Sequence, residues 1–102
     1  MAEFRSQAAV PAQHPSLAGH FPGNPIVPGV LLLEYVLEAA RAWRGPASRL
    51  AGLPAVKFLS ALQPAERFDI HLADEGPRIR FTCSAGARVL AQGTLALAVD
   101  PA

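Results

Sequence analysis

Three prolines spaced three apart, Pro22, Pro25 and Pro28, run into a helix-forming stretch just past Gly29. Each proline fixes its own φ and pushes the preceding residue towards extended backbone. The window from 11 to 29, rich in Pro and Gly, is therefore a stiff loop that loses little entropy on ordering. Any fold open to the chain must hold this loop against the start of the helix. The loop carries His20 and Phe21, and a histidine so constrained can serve as a base. The same composition also makes a rigid connector with an incidental histidine.

The helix is predicted over Val30 to Trp43. It follows Pro28, is rich in Leu and Ala, and is stopped by Gly45-Pro46. Its apolar residues surround most of the circumference, as in a helix covered on more than one side. The free N–H groups of its first turn, with Gly29 allowing close approach, can bind an anion or a developing oxyanion. An ordinary helix start with proline near the first turn has the same residues. Glu34 has Val30, Leu31, Leu37 and Glu38 as helical neighbours. Burial and a neighbouring carboxylate both raise a carboxyl pKa, which suits a general acid. Glu34, Glu38 and Arg41 equally fit a solvated stripe along one helix face.

Strand patterns flank the helix. Phe4 to Val10 precedes it, and Ala55–Gln63, Glu66–Ala73, Arg78–Ser84 and Arg88–Val99 follow, separated by turn signals. Strands in such succession predict an antiparallel meander. One long helix and one antiparallel sheet give an α+β fold in a single domain over 1–102, with the sheet wrapped around the helix.

With 51% hydrophobic and 17% charged residues in 102, the chain has more apolar surface than one small core absorbs. An oligomer interface is the expected outlet. A net charge of +1 gives no electrostatic footprint for nucleic acid. The longest apolar run, Val30 to Ala40, is too short to span a membrane and is interrupted by Glu34 and Glu38. With no secretion-type leader and the single Cys83, a cytoplasmic location is expected. His14 and His71 read as surface or structural residues and Cys83 as a buried inert thiol. No residues have metal-ligand spacing.

Gly19-His20-Phe21-Pro22-Gly23, followed by Pro25-Ile26-Val27-Pro28-Gly29-Val30-Leu31 and then Glu34, resembles the signature of the hotdog-fold 3-hydroxyacyl-(acyl-carrier-protein) dehydratases. Val56-Lys57-Phe58 and Gln63-Pro64-Ala65-Glu66 resemble that family's second strand and turn. The resemblance implies a hotdog fold and dehydration of a 3-hydroxyacyl thioester to the trans-2-enoyl thioester, without a cofactor. It makes His20 the base, Glu34 the acid and the Gly29 N–H the donor to the thioester carbonyl. The Ile26 carbonyl would orient the histidine, and Phe21, Pro28, Val30 and Tyr35 would line the substrate tunnel. It further implies a homodimer in which the histidine of one subunit meets the carboxylate of the other.

Glutamate at 34 resembles the branch that dehydrates without isomerising. Tyr35 and Glu38 replace a small residue and a glutamine common in the family, and the compact length resembles aryl-polyene-type dehydratases. The expected partner is an acidic acyl carrier protein, with Arg41, Arg44, Arg49 and Lys57 as a docking area or as ordinary solubilising charge. The competing readings are a hotdog thioesterase and a non-catalytic acyl-binding subunit.

Overall fold

Period-two alternation sorts the sheet into an inner and an outer face. The computed structural model describes residues 2–14 and 26–99. The elements are β1 (Glu3–Ala8), α1 (Gly29–Arg44), β2 (Ser48–Phe58), β3 (Phe68–Glu75), β4 (Arg78–Ala85) and β5 (Arg88–Val99). In β3, Phe68, Ile70 and Leu72 are buried, while Asp69 and His71 point to the opposite face. Ile79, Phe81 and Cys83 do the same in β4.

All five strands form one antiparallel sheet in the order β1-β3-β4-β5-β2. One inward row can be followed across it: Phe4, Leu72, Phe81, Gly93 and Val56 are successive partners. The helix lays Leu31, Leu32, Val36, Ala39 and Ala40 into the same core as Phe68, Ile70, Leu72, Phe81, Leu90 and Leu95. Each Leu, Ile, Val or Phe among them, fully buried, stabilises by about 1.5–3 kcal/mol. The α+β architecture is as expected.

The strand boundaries differ from the sequence pattern, each for a local reason. β1 ends at Ala8, and the chain turns from Pro11, which has no N–H for a ladder, to His14, whose N–H bonds back to the Pro11 carbonyl. Val10 is buried, and its carbonyl accepts from the Ala65 N–H at 2.7 Å. β2 begins at Ser48 rather than Ala55. Its first half is masked in sequence by Gly52 and Pro54, and register shifts occur at Leu50/Gly52 and Gly52/Ala55. An edge strand tolerates a proline and such irregularity. β2 ends at Phe58, although Leu59 and Ser60 still donate to the Leu90 carbonyl at 2.8 and 3.2 Å. Glu66 lies in a turn before β3, because Ala65 adopts φ 67° and the Glu66 N–H bonds back to the Gln63 carbonyl.

The meander holds for β3, β4 and β5 only. β2 pairs with β5 at one edge and β1 with β3 at the other. The segment 59–67 that follows β2 is no tight hairpin turn, so it can carry the chain past β5 and β4 to β3.

Gly93 is the tightest point of the inward row. A Cβ there would come within 2.8 Å of the Phe81 ring and would collide with the Ala55 carbonyl oxygen across the strand pair. Since the oxygen belongs to backbone, no rotamer change relieves it. Gly93→Ala is expected to destabilise by about 3 kcal/mol, the upper end of ordinary overpacking. Urea unfolding of the variant against the parent chain measures this, and an unchanged midpoint would contradict the close packing described.

Candidate active site

The helix start is held from both sides. Before it, the buried Val27 donates its N–H to the Leu62 carbonyl at 2.8 Å. Pro28 is extended (φ −60°, ψ 143°), and its carbonyl accepts from Leu31 and Leu32 at 3.0 and 3.4 Å. Gly29 is then the first helical residue, one position earlier than the sequence pattern gives. Its N–H belongs to the first turn, where no preceding helical carbonyl can accept it, at the positive end of the helix dipole.

Gly29 is needed there for space. A Cβ would lie 2.7–3.0 Å from three ring atoms of Phe58. Phe58 and Val56 alternate onto the same inward face of β2, since their partners are Ala91 and Gly93. Val56 packs against the core, whereas Phe58 lies at the strand's end over the helix start and is 51% exposed. Val30 is 67% exposed and Leu59 49%, so large apolar groups remain uncovered around this point.

Five residues further on, about 7.5 Å along the axis, Glu34 faces outward. It is exposed, and it lines a recess of about 270 Å³ with Tyr35, Leu37, Glu38 and Arg41. Within the described residues the solvated stripe is therefore what a single chain presents. Arg41 is anchored by its Nε donating to the Ser48 carbonyl at 2.8 Å. Tyr35 turns its ring edge-on to Phe68, centroids 5.9 Å apart, and packs against the core. Ile26 is half-buried beside Ala61, Gln63, Glu66 and Arg88. His20 and Phe21 lie outside the described residues.

A clamp that sequence reading left without a role supports the loop under Ile26 and Val27. Arg88 reaches both carboxylate oxygens of Glu66, at 3.0 and 2.9 Å, and the Ala61 carbonyl at 3.2 Å. Glu66 also accepts the Gln63 N–H at 3.1 Å. The Gln63 N–H and then the Arg88 guanidinium hold the Glu66 carboxyl below its ordinary value. The available signal was a carboxylate three residues after Gln63, the spacing of a reciprocal turn.

The expected basic docking area is partly engaged within the fold. Arg44 pairs with Asp74 and lies 4.1 Å over the Trp43 ring, which stacks on Phe4. Cys83 is fully buried, and burial pushes its thiol up to about 12, so it is inert as expected. His71 pairs with Glu3 at 2.5 Å on the outer face of the sheet. Among the described residues no three His, Cys, Asp or Glu side chains are grouped to hold a metal ion, and no helix is long and apolar enough to cross a membrane.

A family model described as ApeI-like, ApeI dehydratase, matches residues 1–94. The chain belongs to the ApeI-like dehydratase family. Among its relatives, a 3-hydroxyacyl-(acyl-carrier-protein) dehydratase FabZ of Chlamydia abortus is 31% identical over 108 residues, covering 92% of this chain and 70% of the relative. The enzyme of the same name from Lactobacillus helveticus is 33% identical over 67 residues, 59% of this chain and 45% of the relative. That of Rhizobium rhizogenes is 31% identical over 86 residues, 74% of this chain and 55% of the relative. The chain thus spans about half the length of these last two.

Solved structures give the fold. The dehydratase heterocomplex ApeI:P from Xenorhabdus doucetiae matches with TM-score 0.82 at 24% identity, covering 93% of this chain and 86% of that one. A mutant of the fluoroacetyl-CoA-specific thioesterase FlK matches with TM-score 0.73 at 15% identity, covering 96% and 86%. The ApeI-like chain has the hotdog architecture that dehydratases and thioesterases share.

The lowered Glu66 carboxyl makes part of the fold's stability pH-dependent. A carboxyl lowered in the folded state stabilises the fold above its ordinary value of 4.5 and loses that contribution as pH falls through the folded value. Glu66→Gln is therefore expected to flatten the acid limb of the stability profile of this family member. Thermal unfolding between about pH 3 and 6 measures it. Parallel profiles for the variant and the parent chain would remove Glu66 from the acid response.

Proposed function

We propose that this chain removes water from 3-hydroxyacyl thioesters carried by an acyl carrier protein, leaving the trans-2-enoyl thioester. The observation that carries the reading is the order His20, Gly29, Glu34 within a chain matched by a dehydratase family model from residue 1 to 94. Relatives named for this activity over most of this chain's length support it.

The neutral His20 ring takes the proton α to the thioester carbonyl. Negative charge builds on the carbonyl oxygen, where the Gly29 N–H and the positive end of α1 stabilise it. Glu34 gives its proton to the 3-hydroxyl, which leaves as water while the Cα–Cβ double bond forms. Transfer of a proton from histidine back to glutamate, through solvent, restores both groups. The Ile26 carbonyl holds the ring of His20, and Phe21, Pro28, Val30 and Tyr35 wall the acyl path. Tyr35 meets Phe68 edge-on and lines the recess beside Glu34.

His20 of one subunit works with Glu34 of another, in a homodimer. The exposed Val30, Leu50, Phe58 and Leu59 and the open edge of β2 support an association of this kind. The solved neighbour from Xenorhabdus doucetiae is a heterocomplex. A second hotdog chain in place of a second copy is therefore the outcome to distinguish by mass measurement of the assembled protein.

The test uses carrier-protein-bound 3-hydroxyacyl and saturated acyl thioesters. Enoyl product from the first, with no thiol released from the second, is expected. Thiol release from both without enoyl product would make the protein a thioesterase. His20→Ala and Glu34→Ala are each expected to lower dehydration by about 10²–10⁴-fold while assembly survives. Full dehydration in both variants would remove His20 and Glu34 from the reaction, whereas biological activity kept in both without any enoyl product would leave the scaffold reading. The rate should be bell-shaped in pH, since one group must be neutral and the other protonated. A flat profile through neutral pH would count against these roles.

A further inference from the structure

Phe58 has a position that core packing does not account for. It lies on the inward face of β2, yet it is outside the hydrophobic core and 51% exposed. Its Cε1, Cζ and Cδ1 atoms stand 2.7, 2.8 and 3.0 Å from where a Cβ on Gly29 would be. The ring therefore rests directly on the backbone of the residue whose N–H opens the helix. The other approach to Gly29 is fixed by stiff parts: Pro28 in extended conformation and the Val27 N–H bonded to Leu62. Among the described residues, the Phe58 ring approaches Gly29 from a side chain, whereas Val27 and Pro28 hold it through backbone.

We propose that Phe58 is a positioning residue for the Gly29 donor. This rests on the dehydratase reading. The flat ring closes one side of the helix start, keeps water from the N–H and seats the thioester carbonyl in line with it. A donor strengthens as water is excluded and the local dielectric falls. An aromatic ring gives that cover at small conformational cost. The pairing also explains the glycine: any side chain at 29 would displace the ring.

The experiment is a double-mutant cycle in the full chain. Dehydration kinetics, urea midpoint and assembly size are measured for the parent chain, Phe58→Ala, Gly29→Ala and the double variant. Phe58→Ala is expected to lower kcat by roughly tenfold with a smaller change in KM, short of the ~10²–10³-fold loss of a whole oxyanion donor. Gly29→Ala should harm the parent chain more than the Phe58→Ala chain, because the three atoms nearest its Cβ all belong to that ring. Should Phe58→Ala not fold, the cycle is run with Phe58→Leu, whose smaller side chain also leaves room for the Cβ. A folded, fully assembled Phe58→Ala chain with kcat within about twofold of the parent overturns the proposal. So do losses that multiply independently. A parent chain that forms no enoyl product removes the dehydratase reading itself, and this inference with it. An active parent with indifferent Phe58 variants removes the inference alone.

Discussion

The helix can lie in only one way because the strands before and after it are the two edges of the same sheet. β1 pairs with β3 and β2 with β5, so the chain must cross the inner face between them. The crossing element is α1, and the face it covers carries Phe68, Ile70, Leu72, Phe81 and Leu95. Leu31, Leu32, Val36, Ala39 and Ala40 recur at helical spacing and fill that face. Gly93 completes the arrangement from the sheet side, since the ring of Phe81 and the irregular edge strand both approach it closely. Core and topology thus fix where the helix begins, and the proposed chemistry is built on that start.

That start is held by contacts of different stiffness. On the loop side it is backbone to backbone, with Val27 bonded to Leu62. Leu62 belongs to a turn tied by the Glu66 carboxylate to Gln63 and to Arg88 at the beginning of β5. Two ion-pair contacts at the surface stabilise little by themselves. Their effect here is geometric, because they anchor a segment outside regular structure to the sheet. On the strand side the contact is the Phe58 ring, half in solvent. The loop side of the helix start is thus held backbone to backbone, and the strand side by a side chain against backbone.

Much of this was legible in the residues. The helix was read to within one position at each end because proline stops before it and Gly45-Pro46 after it are strong punctuation. β3 and β4 alternate cleanly and were found. The first half of β2 was hidden by Gly52 and Pro54, which look like a loop until an edge position excuses them. Strand order escaped the pattern for a different reason: adjacency of turn-linked strands is a local rule, and β2 follows the non-local demand that the helix cross the sheet. Gly29 and Glu34 were read as candidate chemistry on one helix, and both lie on it. Phe58 was legible in the sequence only as part of a strand motif, because its contact is with a residue 29 positions earlier.

General acids work best where water is kept away, since burial favours the protonated form of a carboxyl. Within the described residues the helix face bearing Glu34, Glu38 and Arg41 is open, and Val30, Phe58 and Leu59 near the helix start are open too. Exposed apolar side chains cost solvation, and an exposed strand edge invites pairing. A single chain has no further element among the described residues with which to cover either. One association that covers the helix face and the β2 edge together would lower both costs and dry the acid in the same event. On the proposed reading, assembly is then part of the catalytic apparatus, and the apolar surplus of the sequence is what drives it.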